Sequence, residues 1–216
     1  MEKSGTDTGR VTGNRATGQA KWTFMVYMAG DNNLDGAALR DIAEMARAGS
    51  TKDVNVLVQL DRLEDNLTRR FRITQGGGFK KDCIESFGDT NTGDPKILYD
   101  FVKWAADNYP ADRYALILWN HGSGWWEEEK GKADDPVGRM PRRHLFNHLI
   151  LLEHRSICYD DTSGGDALDN RELKGVLNQA CAILGKKIDL LGMDACLMNM
   201  VEVAYQQREF VNIIVG

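Results

Sequence analysis

The sequence has no apolar run of about 20 residues, the length that a helix needs to cross a bilayer, so we expect no membrane-spanning segment. It also has no excess of lysine and arginine. The formal net charge is −5, which is not typical of a protein that binds nucleic acid. Residues 1–20 lack the apolar core of a secretory signal and are rich in glycine, threonine, serine and charge. They predict a disordered tail and, by default, a cytoplasmic protein.

Cysteine and histidine are scarce, with four of each in the chain. The cysteines are scattered, without the pairing of a metal site or the density of a disulfide framework: Cys83, Cys158, Cys181 and Cys196. His144 and His148 have the spacing of two ligands on one helical face, but no nearby glutamate completes a zinc-peptidase pattern. We therefore predict no metal in the chemistry, and we expect every cysteine except Cys196 to be a packing residue.

Apolar runs typical of buried parallel strands alternate with segments of helical periodicity. Strands are predicted at 22–29, 54–60, 114–119, 188–193 and 211–215. Helices are predicted at 34–48, from Asp94-Pro95 onward, at 169–185 and at 197–207. Residues 68–74 and 82–87 predict a small surface hairpin, turned by the three glycines at 76–78. The order predicts an α/β fold, a mainly parallel sheet with helices on both faces.

Two of these apolar runs end in a reactive side chain. Residues 116–122 end in His121-Gly122, and residues 189–196 end in Cys196. If the strands are neighbours, a thiol and an imidazole meet at their carboxyl ends, which suits nucleophilic catalysis by cysteine. The N–H groups of Gly122 and Cys196 would form an oxyanion hole, and a helix starting at Leu197 would favour the thiolate. Spacing alone is equally compatible with a buried apolar thiol and an ordinary loop histidine.

A charged segment, 127–156, separates the two reactive blocks. It starts acidic, turns basic and offers several basic residues at which a peptidase specific for them would cut: Lys130, Lys132, Arg139, Arg142, Arg143 and Arg155. A connection of this length is typical of a functional or mobile linker, and a solvated charged insertion is an equal alternative.

Three blocks carry a resemblance to a known family: WTFMVYMAGDNNL from Trp22, WNHGSGW from Trp119 and DLLGMDACLM from Asp189. In this order they resemble the clostripain family of cysteine peptidases and, more broadly, the caspase-like group. The resemblance implies a caspase-like sheet, His121 as acid/base and Cys196 as nucleophile. It implies that Asp194 binds the Arg or Lys before the cleaved bond, for which a carboxylate is chemically suited. It also implies self-cleavage within 130–155.

The resemblance leaves calcium open as an activator, because some members of the family respond to it. Asp161 and Glu172 stand at the first and twelfth positions of an EF-hand spacing, but Asp166 occupies the sixth, where glycine is required. Asp160, Asp161 and Asp166 could bind a cation in another way; a turn followed by a helix start is the favoured interpretation.

We therefore predict a monomeric cysteine endopeptidase that cleaves proteins or peptides after Arg or Lys through a Cys-His dyad. The peptidase domain is expected at 21–216. Because the chain stops as a strand ends, we expect the domain to be truncated. The alternative is a caspase-like binding or scaffold module, or an inactive fragment.

Overall fold

The computed structural model describes residues 19–123 and 156–216. Strand β1 begins at Ala20, the last residue of the predicted tail. The two spaced histidines at 144 and 148 and the six candidate cleavage residues between 130 and 155 lie outside the described residues. Among those that are described, no helix combines the length and the apolar character needed to traverse a bilayer.

Strands and helices alternate along most of the described chain. In order, they are β1 (Ala20–Gly30), α1 (Asp35–Ala48), β2 (Val54–Arg62), β3 (Leu67–Arg72), β4 (Cys83–Gly88), α2 (Pro95–Asn108), β5 (Ala111–Trp119), β6 (Ser156–Asp160), β7 (Asp166–Asp169), α3 (Asn170–Leu184), β8 (Ile188–Asp194), α4 (Val201–Gln207) and β9 (Val211–Val215).

Seven strands form the main sheet, in the order β4-β3-β2-β1-β5-β8-β9. The five from β2 to β9 in that order pair in parallel, whereas β3 and β4 are antiparallel. The predicted hairpin is thus β3–β4, and it extends the sheet through β2 instead of standing apart. Phe71 of β3 is fully buried. The mainly parallel architecture predicted from the sequence is confirmed.

The sheet is covered on both faces, as the uninterrupted apolar runs predicted. In β1, Met25 and Tyr27 belong to one core cluster, while Val26 and Met28 belong to the other. Residues of α1 contribute to the second cluster, and residues of α2 and α3 contribute to the first. Because successive side chains of a strand point to opposite faces, both faces of β1 are buried beneath helices.

Local sequence signals set the helix starts. Asp94 caps α2, its side chain accepting a hydrogen bond from the N–H of Lys96, and Pro95 occupies the first turn. Asp169 caps α3 in a reciprocal capping box with Glu172. Glu172 is therefore engaged in the helix cap, and the predicted turn and helix start replace the EF-hand alternative.

Two further features differ from the sequence prediction. The helix expected at 197–207 begins only at Val201, because residues 195–197 form a turn. The second feature is a two-stranded sheet, β6–β7, which was not predicted. It contacts the end of β1 and lies beside Gly122, which forms an isolated antiparallel bridge with Ile157.

Candidate active site

The sheet register brings the two reactive blocks to the same edge. Strands β5 and β8 are parallel neighbours, and Trp119 pairs with Asp194. His121 and Cys196 each lie two residues beyond this pair, so both follow the carboxyl ends of their strands. The backbone N–H of Asn120 donates to the carbonyl of Asp194 at 3.2 Å, which continues the contact past the strands. The prediction that both blocks end at one rim of the sheet is confirmed.

Gly122 packs directly against the backbone of Cys196. A Cβ added at residue 122 would lie 2.5 Å from the carbonyl oxygen of Cys196 and 2.6 Å from Cγ of Met198. Real Cβ atoms do not approach backbone so closely, so any larger residue would displace the turn that carries the thiol. The sequence predicts that this glycine contributes to an oxyanion hole, and the packing supplies a second, steric reason for a glycine at this position.

Cys196 is exposed and lies in the turn at 195–197, not at a helix N-terminus. Leu197, the next residue, has a φ of 60° and is 64% exposed. A left-handed conformation is costly for a leucine, and such residues are concentrated at functional sites. The expectation that a helix dipole starting at Leu197 acts on the thiol is wrong, because α4 begins at Val201 and has 7 residues.

The other three cysteines have environments that suppress their reactivity. Cys158 is fully buried, and burial raises its pKa far above the ordinary value. Burial also raises the pKa of Cys83 and of Cys181. Because the thiolate is the reactive form, Cys196 is the best candidate nucleophile of the four. The prediction that the others are packing residues agrees with these positions.

His121 has a partner that the sequence did not reveal. Its Nε2 lies 2.7 Å from Oδ1 of Asn33, in the turn that follows β1. Because an amide oxygen can only accept a hydrogen bond, this contact favours the tautomer with the proton on Nε2, in which Nδ1 of the neutral ring can act as a base. The string Asp31-Asn32-Asn33 is typical of a turn or helix cap, and nothing local links it to a histidine 88 positions away.

Asparagine side chains also fix the loop that carries His121. Nδ2 of Asn120 donates to the carbonyl of Ala29, and its Oδ1 accepts from the N–H of Tyr159 at 2.9 Å. Nδ2 of Asn32 donates to the carbonyls of Ala29 and Tyr159, both at 2.9 Å. Strands β1, β5 and β6 are thereby tied together next to His121, which restricts the motion of its backbone.

Asp194 is exposed at the last position of β8, two residues before Cys196. Within residues 19–123 and 156–216, no basic side chain forms an ion pair with its carboxylate. Its side chain is therefore available to a cationic group near the thiol.

The candidate cation ligands of the sequence analysis do not act as one group. Asp160 is buried and accepts hydrogen bonds from the N–H groups of Thr92 and Ser163, which closes the turn after β6. Asp166 accepts from Nδ2 of Asn91, and Asp161 is exposed. These contacts agree with the turn interpretation.

A model of the clostripain family matches residues 26–216. The chain belongs to the clostripain family. The match includes the first sequence block from Val26 onward and the whole of the other two, which carry His121 and Cys196.

Individual members show the extent of the similarity. Clostripain from Hathewaya histolytica is 31% identical over 214 residues, covering 87% of this chain and 36% of that protein. A secreted C11 cysteine protease from Bacteroides thetaiotaomicron, solved with an irreversible peptide inhibitor, is 25% identical with a TM-score of 0.67, covering 91% of this chain and 48% of that one. An inactive zymogen C11 protease from Parabacteroides distasonis shares the fold, at 23% identity and a TM-score of 0.63.

The chain thus spans about half the length of these two structures and about a third of the curated clostripain. The predicted family and the caspase-like fold are confirmed.

Proposed function

We propose that this protein is a cysteine endopeptidase of the clostripain type that cleaves after Arg or Lys. The observation that carries the proposal is the arrangement at the β5–β8 edge. An exposed thiol follows one strand, an oriented imidazole follows its parallel neighbour, and Gly122 packs against the thiol's own backbone. Membership of the clostripain family supports the same chemistry.

In the proposed reaction, Sγ of Cys196 attacks the scissile carbonyl carbon as a thiolate. The carbonyl electron pair moves to oxygen, and the N–H groups of Gly122 and Cys196 donate to that oxyanion, each contributing roughly 3–4 kcal/mol. Protonated His121 gives its Nδ1 proton to the leaving amine as the C–N bond breaks. Water, deprotonated by His121, then attacks the thioester and releases the acid and the thiol.

Asn33 acts in this scheme as a positioning residue. By accepting the hydrogen bond from Nε2, it holds the ring in the tautomer whose Nδ1 is a base. We expect Asn33→Ala to lower kcat by roughly 10- to 100-fold, with a smaller effect on KM, because the imidazole loses its fixed orientation. The measurement is steady-state kinetics over a range of pH.

The control for Asn33 is Asn108→Ala, which removes a side-chain hydrogen bond to the carbonyl of Trp104 at the end of α2. It should leave the kinetics unchanged. A merely structural role for Asn33 would lower the thermal stability and leave the shape of the pH profile of kcat/KM unaltered, and that result would contradict the positioning role.

Asp194 would bind the basic side chain of the substrate. Its exposed carboxylate lies two residues before the nucleophile, and a carboxylate pairs bidentately with guanidinium. The test of the proposed function compares release of a fluorophore from peptides that end in Arg, Lys or Gln. We expect release after Arg and Lys, and a fall of roughly 100-fold in kcat/KM for these two with Asp194→Asn.

The matched control is Asp112→Asn, because Asp112 is also exposed but lies in β5 near its start, at the opposite edge of the sheet. Its kcat/KM should equal that of the parent. No release from a folded sample would instead favour a binding or scaffold module, and equal loss with the Gln peptide would contradict a role for Asp194 in specificity.

A further inference from the structure

The proposed active site depends on the relative position of two loops, because Asn33 and His121 belong to different ones. Asn33 lies in the turn after β1, His121 lies in the loop after β5, and Oδ1 of the first is 2.7 Å from Nε2 of the second. This hydrogen bond is exposed, and water competes with an exposed hydrogen bond. The imidazole therefore keeps its orientation only if other contacts hold the two loops together.

Tyr159 of β6 is bonded to both loops through its main chain. Its N–H donates to Oδ1 of Asn120 at 2.9 Å, and its carbonyl oxygen accepts from Nδ2 of Asn32 at 2.9 Å. Asn120 directly precedes His121, and Asn32 directly precedes Asn33. Both of these hydrogen bonds are buried, so water does not readily replace them. One residue thus joins the neighbours of both partners in the exposed pair.

The side chain of Tyr159 holds the loop on the other side of His121. Its hydroxyl donates to Oγ of Ser123 at 2.9 Å, and the same Oγ accepts from the N–H of Ser156 at 2.9 Å. Tyr159 is 8% exposed, and burial raises the pKa of its hydroxyl, which therefore stays protonated and able to donate at neutral pH. His121 is flanked by Asn120 and Ser123, which are both bonded to Tyr159.

The main-chain groups of Tyr159 can reach the loops because β6 contains a bulge. The pairing of β6 with β7 shifts register between Ile157 and Asp160, so that residues 158 and 159 stand opposite the single residue 167. Two residues against one is the arrangement of a β-bulge, which bends a strand and is frequent beside active sites. Here the N–H and the carbonyl of Tyr159 bond to the two asparagine side chains of the loops.

Cys158, the first residue of the bulge, has an unfavourable backbone conformation. Its φ is 65°, in the left-handed region that favours glycine, and its side chain is fully buried. A strained residue of this kind persists only where the surrounding structure imposes it, and such residues are concentrated at functional sites. The bulge therefore has a cost in the folded state, and what it provides is the position of Tyr159.

We propose that Tyr159 is a positioning residue for His121 and that the bulge at Cys158 places it. The inference deepens the proposed function and rests on it for the effect on rate. The orientation of the imidazole, in contrast, is a property of the folded chain and can be measured without turnover. The small sheet β6–β7 then has a use in the reaction, because it fixes the distance between the turn after β1 and the loop after β5.

Tyr159→Phe removes the hydroxyl and leaves the ring and both main-chain hydrogen bonds in place. We expect kcat for the peptide ending in Arg to fall by roughly 3- to 10-fold, the size typical of one lost hydrogen bond, with a smaller change in KM. Because Tyr159 and Asn33 act on the same imidazole, their effects should not multiply. The double variant with Asn33→Ala should therefore be hardly slower than Asn33→Ala alone.

Tyr114→Phe is the matched control. Tyr114 is 6% exposed, and its hydroxyl accepts a hydrogen bond of 3.0 Å from the N–H of Ala111 at the start of β5, the end opposite to the proposed active site. This variant should lower Tm and leave kcat unchanged. An equal fall in kcat in this control, or fully multiplicative effects of Tyr159→Phe and Asn33→Ala, would overturn the positioning role.

Cys158→Gly and Cys158→Val test the bulge. Both replacements alter a buried side chain and should lower Tm. Glycine adopts a φ of 65° without steric cost, whereas valine is β-branched and resists it, so kcat should be about tenfold lower in the valine variant than in the glycine variant. Equal kcat values in the two folded variants would contradict the role of the bulge. Tyr159→Phe, which retains the ring, tests the proposal if Cys158→Val does not fold.

The orientation of the imidazole is measured by NMR relaxation of the Cε1–H group of His121 in the Cys196→Ala protein, in which no cleavage occurs. His121→Gln identifies the signal. In this background Tyr159→Phe should make the ring more mobile and lower its order parameter from about 0.85 toward 0.6, whereas Tyr114→Phe should leave it unchanged.

The two measurements separate this inference from the proposed function. Increased ring mobility in Tyr159→Phe, with a parent protein that cleaves no peptide, would support the role of Tyr159 in orienting His121 and contradict the proposed function. Unchanged ring mobility, with a parent that cleaves the peptide ending in Arg, would support the proposed function and overturn the role of Tyr159.

Discussion

Cys196→Ala is expected to lower the rate of peptide cleavage by at least ~10⁴-fold, because the variant has no group to form the acyl-enzyme. The peptide ending in Arg is the substrate, and single-turnover measurement separates the loss of chemistry from any change in binding. Because Cys196 is exposed in a surface turn, the thermal stability of the variant should stay close to that of the parent.

Cys181→Ala provides the control for Cys196. Sγ of Cys181 lies 3.2 Å from the carbonyl of Phe210, and its replacement should change stability more than turnover.

Intact-mass measurement of the parent and Cys196→Ala samples tests self-processing. Fragments split between residues 130 and 155 in the parent and missing in Cys196→Ala would support it, and fragments of equal abundance in both would assign the cleavage to another peptidase.

Gly122→Ala is expected to have the second largest effect. The new methyl group would meet the carbonyl oxygen of Cys196 at 2.5 Å, so the thiol-bearing turn must move. Overpacking of this kind costs about 1–3 kcal/mol of stability, and a displacement of about 1 Å at the reacting atoms costs roughly 100-fold in rate. Kinetics and the unfolding free energy in denaturant measure the two effects on one sample.

Gly175→Ala is the matched control, because a Cβ at this position of α3 meets no atom within 4 Å. It should raise the unfolding free energy by about 0.5–1 kcal/mol through helix propensity and leave the kinetics unchanged. If Gly122→Ala kept full activity, the close packing between residue 122 and the Cys196 turn would have no functional role.

The central strands and the helix starts were predictable because their signals are local. Long apolar runs such as that of β5 indicate burial on both faces. Asp94 and Asp169 are side-chain caps that can be recognised within three or four residues. The common edge of His121 and Cys196 was predicted on the condition that their strands are neighbours, because adjacent parallel strands end on the same side. The structure supplies that condition by pairing β5 with β8.

The remaining features depend on contacts between distant residues. Strands β6 and β7 have only five and four residues, and Cys158 within β6 has a φ of 65°, which interrupts the alternation of a strand. The residues from Leu197 to Val201 are mostly apolar and resemble the start of a helix. The backbone of Leu197 is left-handed, however, so this residue cannot be part of a right-handed helix. Asn33 and His121 are joined only by the folded sheet, so no local pattern reveals their hydrogen bond.

The contacts between Ser123 and Ser156 have a consequence for the segment between them. The N–H of Ser123 donates to the carbonyl of Ser156, the N–H of Ser156 donates to Oγ of Ser123 at 2.9 Å, and Gly122 bridges Ile157. These bonds hold residues 122 and 123 beside residues 156 and 157. Lengthening the segment that joins them should therefore cost little closure entropy. A single scission between residues 123 and 156 would leave β5 and β8 paired in the same sheet, so the nicked molecule should remain one non-covalent heterodimer.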